Sequence, residues 1–112
     1  MPASKKRSYA RYTIAAVELL GTLVALERKA RRMTAQEMAD RLGVDRGTLQ
    51  RLERGDPKIG LGLAFESCAI MGIPLFEEDA RGLMMRLDEA GKRLALLPSR
   101  VRPKQLSVSD DF

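Results

Sequence analysis

The residues best equipped for chemistry in this chain fall between Thr34 and Gly55, in the run TAQEMADRLGVDRGTLQRLERG. At helical spacing, Asp45, Arg46, Gly47, Gln50 and Arg51 share one side of a short segment whose other side carries Leu49 and Leu52. Their chemistry is hydrogen bonding to flat, polar edges. A guanidinium such as that of Arg46 can grip guanine O6 and N7 with two bonds, and the amide of Gln50 can read adenine. Arg51 can take a base or a phosphate. Asp45 can accept from cytosine N4 or cap the helix that follows it, and the cap is the favoured reading. Gly47 offers no side chain and can only permit close approach.

Other chemistries are poorly provided for. The 112 residues contain no histidine and one cysteine. The commonest general base and metal ligand is therefore missing, and neither a disulfide framework nor a cysteine-based zinc cluster can form within the chain. Nothing resembles a nucleophile–base pair or a phosphate-cradling glycine loop, so no enzyme, no metal and no cofactor are expected. Cys68 reads as a core thiol, and the six methionines read as core filler.

Elements must hold the polar side in place. Thr34 can cap a helix, and Glu37 three residues on completes a capping box. Met38, Ala39 and Leu42 form the inward face of that helix, and Gly43 stops it. Asp45 can cap the next helix, about Arg46 to Arg54, ended by Gly55, Asp56 and Pro57. Thr13 to Arg32 reads as a long first helix, with Ile14, Val17, Leu20 and Val24 in line. Leu61 to Met71 reads as a fourth, with Leu61, Ala64, Phe65, Cys68 and Met71 inward. A fifth runs from about Glu78 to Leu96, with Glu77, Glu78 and Asp79 in its first turn and the apolar line Ala80, Leu83 or Met84, Leu87, Ala90 and Leu94. No segment alternates as a strand does, so the fold class is all-α.

The expected organisation is a flexible basic arm over 1–11, a helix-turn-helix domain over 12–75, a C-terminal helix over 76–98 that mediates dimerisation, and a flexible tail over 99–112. The net charge is +5. It concentrates in residues 1–33, where eight Lys and Arg face two acids, so a polyanion would meet this third first. No stretch approaches the roughly 18 apolar residues of a membrane span, and the basic start lacks the apolar run of a secretory signal. A cytoplasmic, nucleoid-associated protein with no membrane partner is expected.

Residues 20–73 resemble the Xre/Cro/CI-type helix-turn-helix family of bacterial and phage repressors. The matching pieces are Leu20–Gly21, RKARR at 28–32, TAQEMADRLGV at 34–44, DRGTLQRLERG at 45–55 and LGLAFESCAIMGI at 61–73. The resemblance implies a five-helix lambda-repressor-like DNA-binding domain, here with an extended fifth helix and flexible termini. It implies a homodimer on an inverted-repeat operator in double-stranded DNA. Base reading is carried over to Asp45, Arg46, Gly47, Gln50 and Arg51. Phosphate contacts are expected from Thr34, Gln36, Arg54, Lys58, Lys5, Lys6 and Arg7. The family often has Gln directly after the helix-starting Thr; here Ala35 stands there, with Gln36 next. The family's ion pair between the first and third helices falls on Arg28 and Glu53.

The C-terminal third carries a second resemblance. A helix ending RLALLPSRVR, then a polar stretch closing on DDF, is similar to HipB-type antitoxins, the DNA-binding partners of HipA-type kinase toxins. It implies autorepression and a complex with a HipA-like kinase, with Phe112 as an anchor in the partner. The alternatives are a stand-alone Xre-family repressor with no toxin, or a protein-interaction module that does not bind DNA.

Overall fold

The structure, a computed structural model, describes residues 8–103. Five helices follow one another: α1 (Arg11–Ala30), α2 (Ala35–Leu42), α3 (Arg46–Arg54), α4 (Leu61–Met71) and α5 (Ala80–Ala95), with no strand among the described residues. Among the described residues, no helix is long and apolar enough to cross a membrane. The chain divides between Glu77 and Glu78 into two compact units, the first holding α1 to α4 and the second α5.

Local chemistry sets the ends of the short helices. The Thr34 hydroxyl accepts from the Glu37 N–H at 3.1 Å, and the Glu37 carboxylate accepts from the Thr34 N–H at 2.9 Å, closing the capping box of α2. Asp45 Oδ1 accepts from the Thr48 N–H at 2.7 Å and caps α3. α2 stops at Gly43 and α3 at Gly55, both left-handed with φ of 73° and 80°.

The core of the first unit draws one or two residues from each helix. Val24 of α1, Met38 and Ala39 of α2, Leu49 and Leu52 of α3, and Cys68 and Met71 of α4 are buried together. Burial pushes the Cys68 thiol up from its ordinary value. Gly21 and Gly55 let α1 and α3 come into close contact. A Cβ on Gly21 would lie 2.7 Å from the Glu53 carbonyl oxygen, and one on Gly55 2.6 Å from the Glu18 Cα. Only hydrogen fits at either place.

Three expectations need correction. α1 begins at Arg11 and ends at Ala30, two residues earlier at each end than the Thr13–Arg32 pattern suggested. Arg31 is its cap and Arg32 has φ 55°, a left-handed turn that ends the helix within the basic run. Leu61 opens α4 but is 68% exposed, because the first turn of that helix lies at the rim of the core. The acidic cluster before α5 lies outside the helix: Asp79 is the N-cap, accepting from the Gly82 N–H at 2.8 Å, and Glu77 has φ 60°. None of the residues of α5 is buried.

Candidate nucleic-acid interface

The interface is built on α3. Its amphipathic pattern sends Leu49 and Leu52 into the core, which leaves Arg46, Gly47, Gln50 and Arg54 exposed along the opposite side. Asp45 opens this side. Its carboxylate is held below the usual range, first by the Thr48 N–H and also by the charge of Arg51. One oxygen is thus committed to the backbone. Gly47 lies within the helix, and a Cβ there would meet only Asp45 Oδ1, at an ordinary 3.6 Å. The fold itself therefore does not require glycine at this position.

Arg51 differs from its neighbours. Its Nε donates to Asp56 Oδ2 at 2.8 Å, and the side chain retains 43% of its exposure. Asp56 Oδ1 accepts from the Lys58 N–H at 2.9 Å. The Lys58 N–H and the Arg51 guanidinium together hold the Asp56 carboxyl below its ordinary range. Arg51 is thereby held through its Nε, with its side chain partly exposed. The holding residue, Asp56, was missed by sequence reasoning. The signal for it was an acid five residues after an arginine, just past a helix-ending glycine.

The remaining expected contacts lie on the flanks. Thr34 and Gln36 are exposed at the start of α2, where Gln36 Nε2 donates to Asp40 Oδ1 at 2.9 Å and Thr34 is engaged in its capping box. Lys58 is exposed in the loop after α3. Lys5, Lys6, Arg7 and Phe112 lie outside the described residues.

Arg28 and Glu53 determine how α3 is held. Arg28 Nε and Nη2 donate to the two Glu53 oxygens at 2.7 and 2.9 Å, and Nη1 donates to the Met33 carbonyl at 2.9 Å. The side chains are only 11% and 13% exposed. This fork-to-fork contact raises the Arg28 guanidinium above its usual value, mainly through the Glu53 hydrogen bond and against the opposing effect of burial. Arg31, noted in the sequence only as part of a basic run, donates to the Met71 and Ile70 carbonyls at 2.8 and 3.2 Å. It ties the C-terminal end of α4 to α1 and adds nothing to the exposed face of α3.

Comparison with known families gives a match to a helix-turn-helix family over residues 24–77, from the second half of α1 to the end of the first unit. No curated protein matches the chain, and no solved structure does. The matched span contains the capped α2–α3 pair, its Gly43 turn and the core that holds it. Residues 24–77 match the Xre/Cro/CI-type helix-turn-helix family, which supports a DNA-binding regulator of transcription.

Proposed function

We propose that this protein is a sequence-specific double-stranded DNA-binding repressor that acts as a homodimer on an inverted repeat. The observation that carries the reading is the division of α3: its leucines are buried, while Arg46, Gly47 and Gln50 stand free at its N-terminal end. A recognition helix enters the major groove by that end. Arg46 reads guanine, Gln50 reads adenine, and Gly47 lets the backbone come close. Arg51, aimed by Asp56, serves a base or a phosphate. Thr34, Gln36, Arg54 and Lys58 serve phosphates on the flanks. Asp45 acts chiefly as the cap.

The test is a gel shift on the promoter region of the gene itself. Wild type should give a specific shift that weakens steeply with salt, because phosphate contacts release counterions. Arg46→Ala should lose about 1–3 kcal/mol, most of it at one guanine. Equal retardation of promoter and unrelated DNA by both proteins would refute base reading.

The exposed apolar line of α5 supports the dimer: Met84, Leu87 and Leu94 face solvent. A dimer reading an inverted repeat would meet half-sites one DNA turn, ~34 Å, apart. A monomer at micromolar concentration in the ultracentrifuge would remove the dimer from the proposal. The finer reading is an autorepressor and antitoxin paired with a HipA-like kinase, supported by the RLALLPSRVR and DDF resemblance. Co-purification of a kinase encoded next door, lost when residues 107–112 are deleted, is the expected result for Phe112 as its anchor.

A further inference from the structure

The apolar line of α5 alternates in size as well as in spacing. At the period of a two-helix seam it reads Ala80, Leu83, Leu87, Ala90 and Leu94, with Leu97 just past the helix end. Leu83 is half-buried and the others are exposed. Read from the opposite end, each alanine falls where the first reading has a leucine. Against a reversed copy, about a two-fold axis between Asp88 and Glu89, Ala80 meets Leu97, Leu83 meets Leu94 and Leu87 meets Ala90. No layer of that seam holds two small residues. In a parallel pair each residue meets its own kind, so Ala80 and Ala90 leave thin layers between thick leucine ones, and close packing is lost.

Gly91 is an independent observation. It lies inside α5, where glycine is disfavoured. A Cβ there would meet nothing within 4 Å in its own chain, so the packing of the single chain does not call for glycine. In the reversed pair, Gly91 lies at the edge of the seam beside Met84 of the second copy, a long side chain that is 72% exposed in the single chain. The missing Cβ gives that side chain room. On the other edge, Arg86 comes between Glu89 and Arg93 of the second copy, an attraction and a repulsion that offset each other. A closed pair of identical chains needs a patch that complements itself. This line does so in one direction only.

We infer that α5 pairs with α5 of a second copy in the antiparallel direction, with Leu83 against Leu94 and Gly91 beside Met84. The inference rests on the dimer of the proposed function and adds its direction and register. The two chains enter the pair from opposite ends, with the starts of their α5 helices ~25 Å apart along it.

Cysteine cross-linking of the full-length chain tests the direction. Residues 83 and 94 of one chain lie ~16 Å apart along the helix, too far for a disulfide within it. Leu83→Cys and Leu94→Cys, each oxidised alone, should give no covalent dimer above wild type, whose one cysteine, Cys68, is buried. The two mixed before oxidation should give the disulfide-linked pair in high yield. Self-linking of either single variant would establish a parallel pair and overturn the inference. So would a mixture that stays unlinked while wild type sediments as a dimer, which leaves the dimer standing with another interface. A wild-type monomer at micromolar concentration would remove the dimer and this inference together. Gly91→Leu tests the register separately. It suits a helix and adds apolar surface, yet it should weaken the dimer at least about tenfold by sedimentation, because Met84 of the second copy occupies that space. A dimer unchanged or tightened by Gly91→Leu would overturn the placement of Gly91 beside Met84.

Discussion

α3 and α5 are built from the same local chemistry and end in opposite situations. Each starts at an aspartate that accepts from a backbone N–H three residues on, Asp45 from Thr48 at 2.7 Å and Asp79 from Gly82 at 2.8 Å. Each carries leucines in line. Those of α3, Leu49 and Leu52, are buried in the first unit, whereas Leu87 and Leu94 of α5 are 74% and 71% exposed. A helix whose apolar side is satisfied within its own unit offers its polar side to a partner. A helix whose apolar side is not satisfied offers that side instead. Amphipathicity alone does not say which surface is functional; the packing of the apolar line decides it.

The largest separation should come from truncating the leucines. Leu49→Ala should destabilise the first unit by about 2–5 kcal/mol, from lost burial and the cavity left behind. Leu87→Ala should change the unfolding of that unit by less than about 0.5 kcal/mol. Denaturant titration of the two variants checks both. A loss for Leu87→Ala comparable to that for Leu49→Ala would mean that α5 is covered, and the contrast would disappear. Sedimentation of Leu87→Asp sharpens it: dissociation with unchanged first-unit stability assigns the α5 line to a second copy.

Next in size is the link between α1 and α3. Arg28→Ala leaves the Glu53 carboxylate unpaired at the edge of the core and should cost about 3 kcal/mol. The double variant Arg28→Met/Glu53→Leu should recover most of that, because the desolvation cost falls on whichever charge remains alone. Nothing in α5 is comparable. Its Arg86–Glu78 and Lys92–Asp88 pairs are exposed, and removing either should be nearly silent.

Much of this was legible in the sequence because it is local. The Thr34–Glu37 box, the Asp45 cap and the glycines at 43 and 55 are read within a few residues of one another, and α3 and α4 have the bounds that their patterns suggested. What stayed hidden depends on distant parts of the chain. Gly21 is required because α1 crosses the Leu52 and Glu53 carbonyls, and no spacing within α1 announces that. The exposure of Leu61 depends on where the core ends, which the α4 pattern cannot show. The role of Asp56 lies across a helix end, where helical periodicity no longer relates one residue to the next.

The caps themselves should have smaller effects, with a sign in pH. Asp45→Ala should lower the midpoint of unfolding of the first unit modestly, and Asp79→Ala should leave it unchanged, because Asp79 caps a helix of the other unit. Asp45, Glu37 and Asp56 are all held below the ordinary carboxylate range, chiefly by backbone N–H groups. Groups depressed in the folded state add stability that is present above their unfolded values and lost as pH falls through the folded ones. The midpoint of unfolding should therefore hold near neutrality and begin to fall below about pH 4. In Asp45→Asn, which can still cap, the acid-induced fall should be shallower. An identical acid profile would show that the Asp45 charge contributes nothing beyond the cap.

Gly47→Ala has the smallest expected effect on folding and tests the α3 side of the contrast most directly. The added Cβ meets nothing closer than 3.6 Å, and alanine favours a helix over glycine by up to about 1 kcal/mol. Stability should be unchanged or slightly raised. If the backbone of α3 approaches base edges at this point, the same methyl group should weaken promoter binding while leaving the salt dependence intact, since it removes no phosphate contact. A more stable protein that binds its promoter less well would show that glycine serves the duplex rather than the fold. Unaltered binding would move the closest approach along α3, towards Gln50 and Arg54.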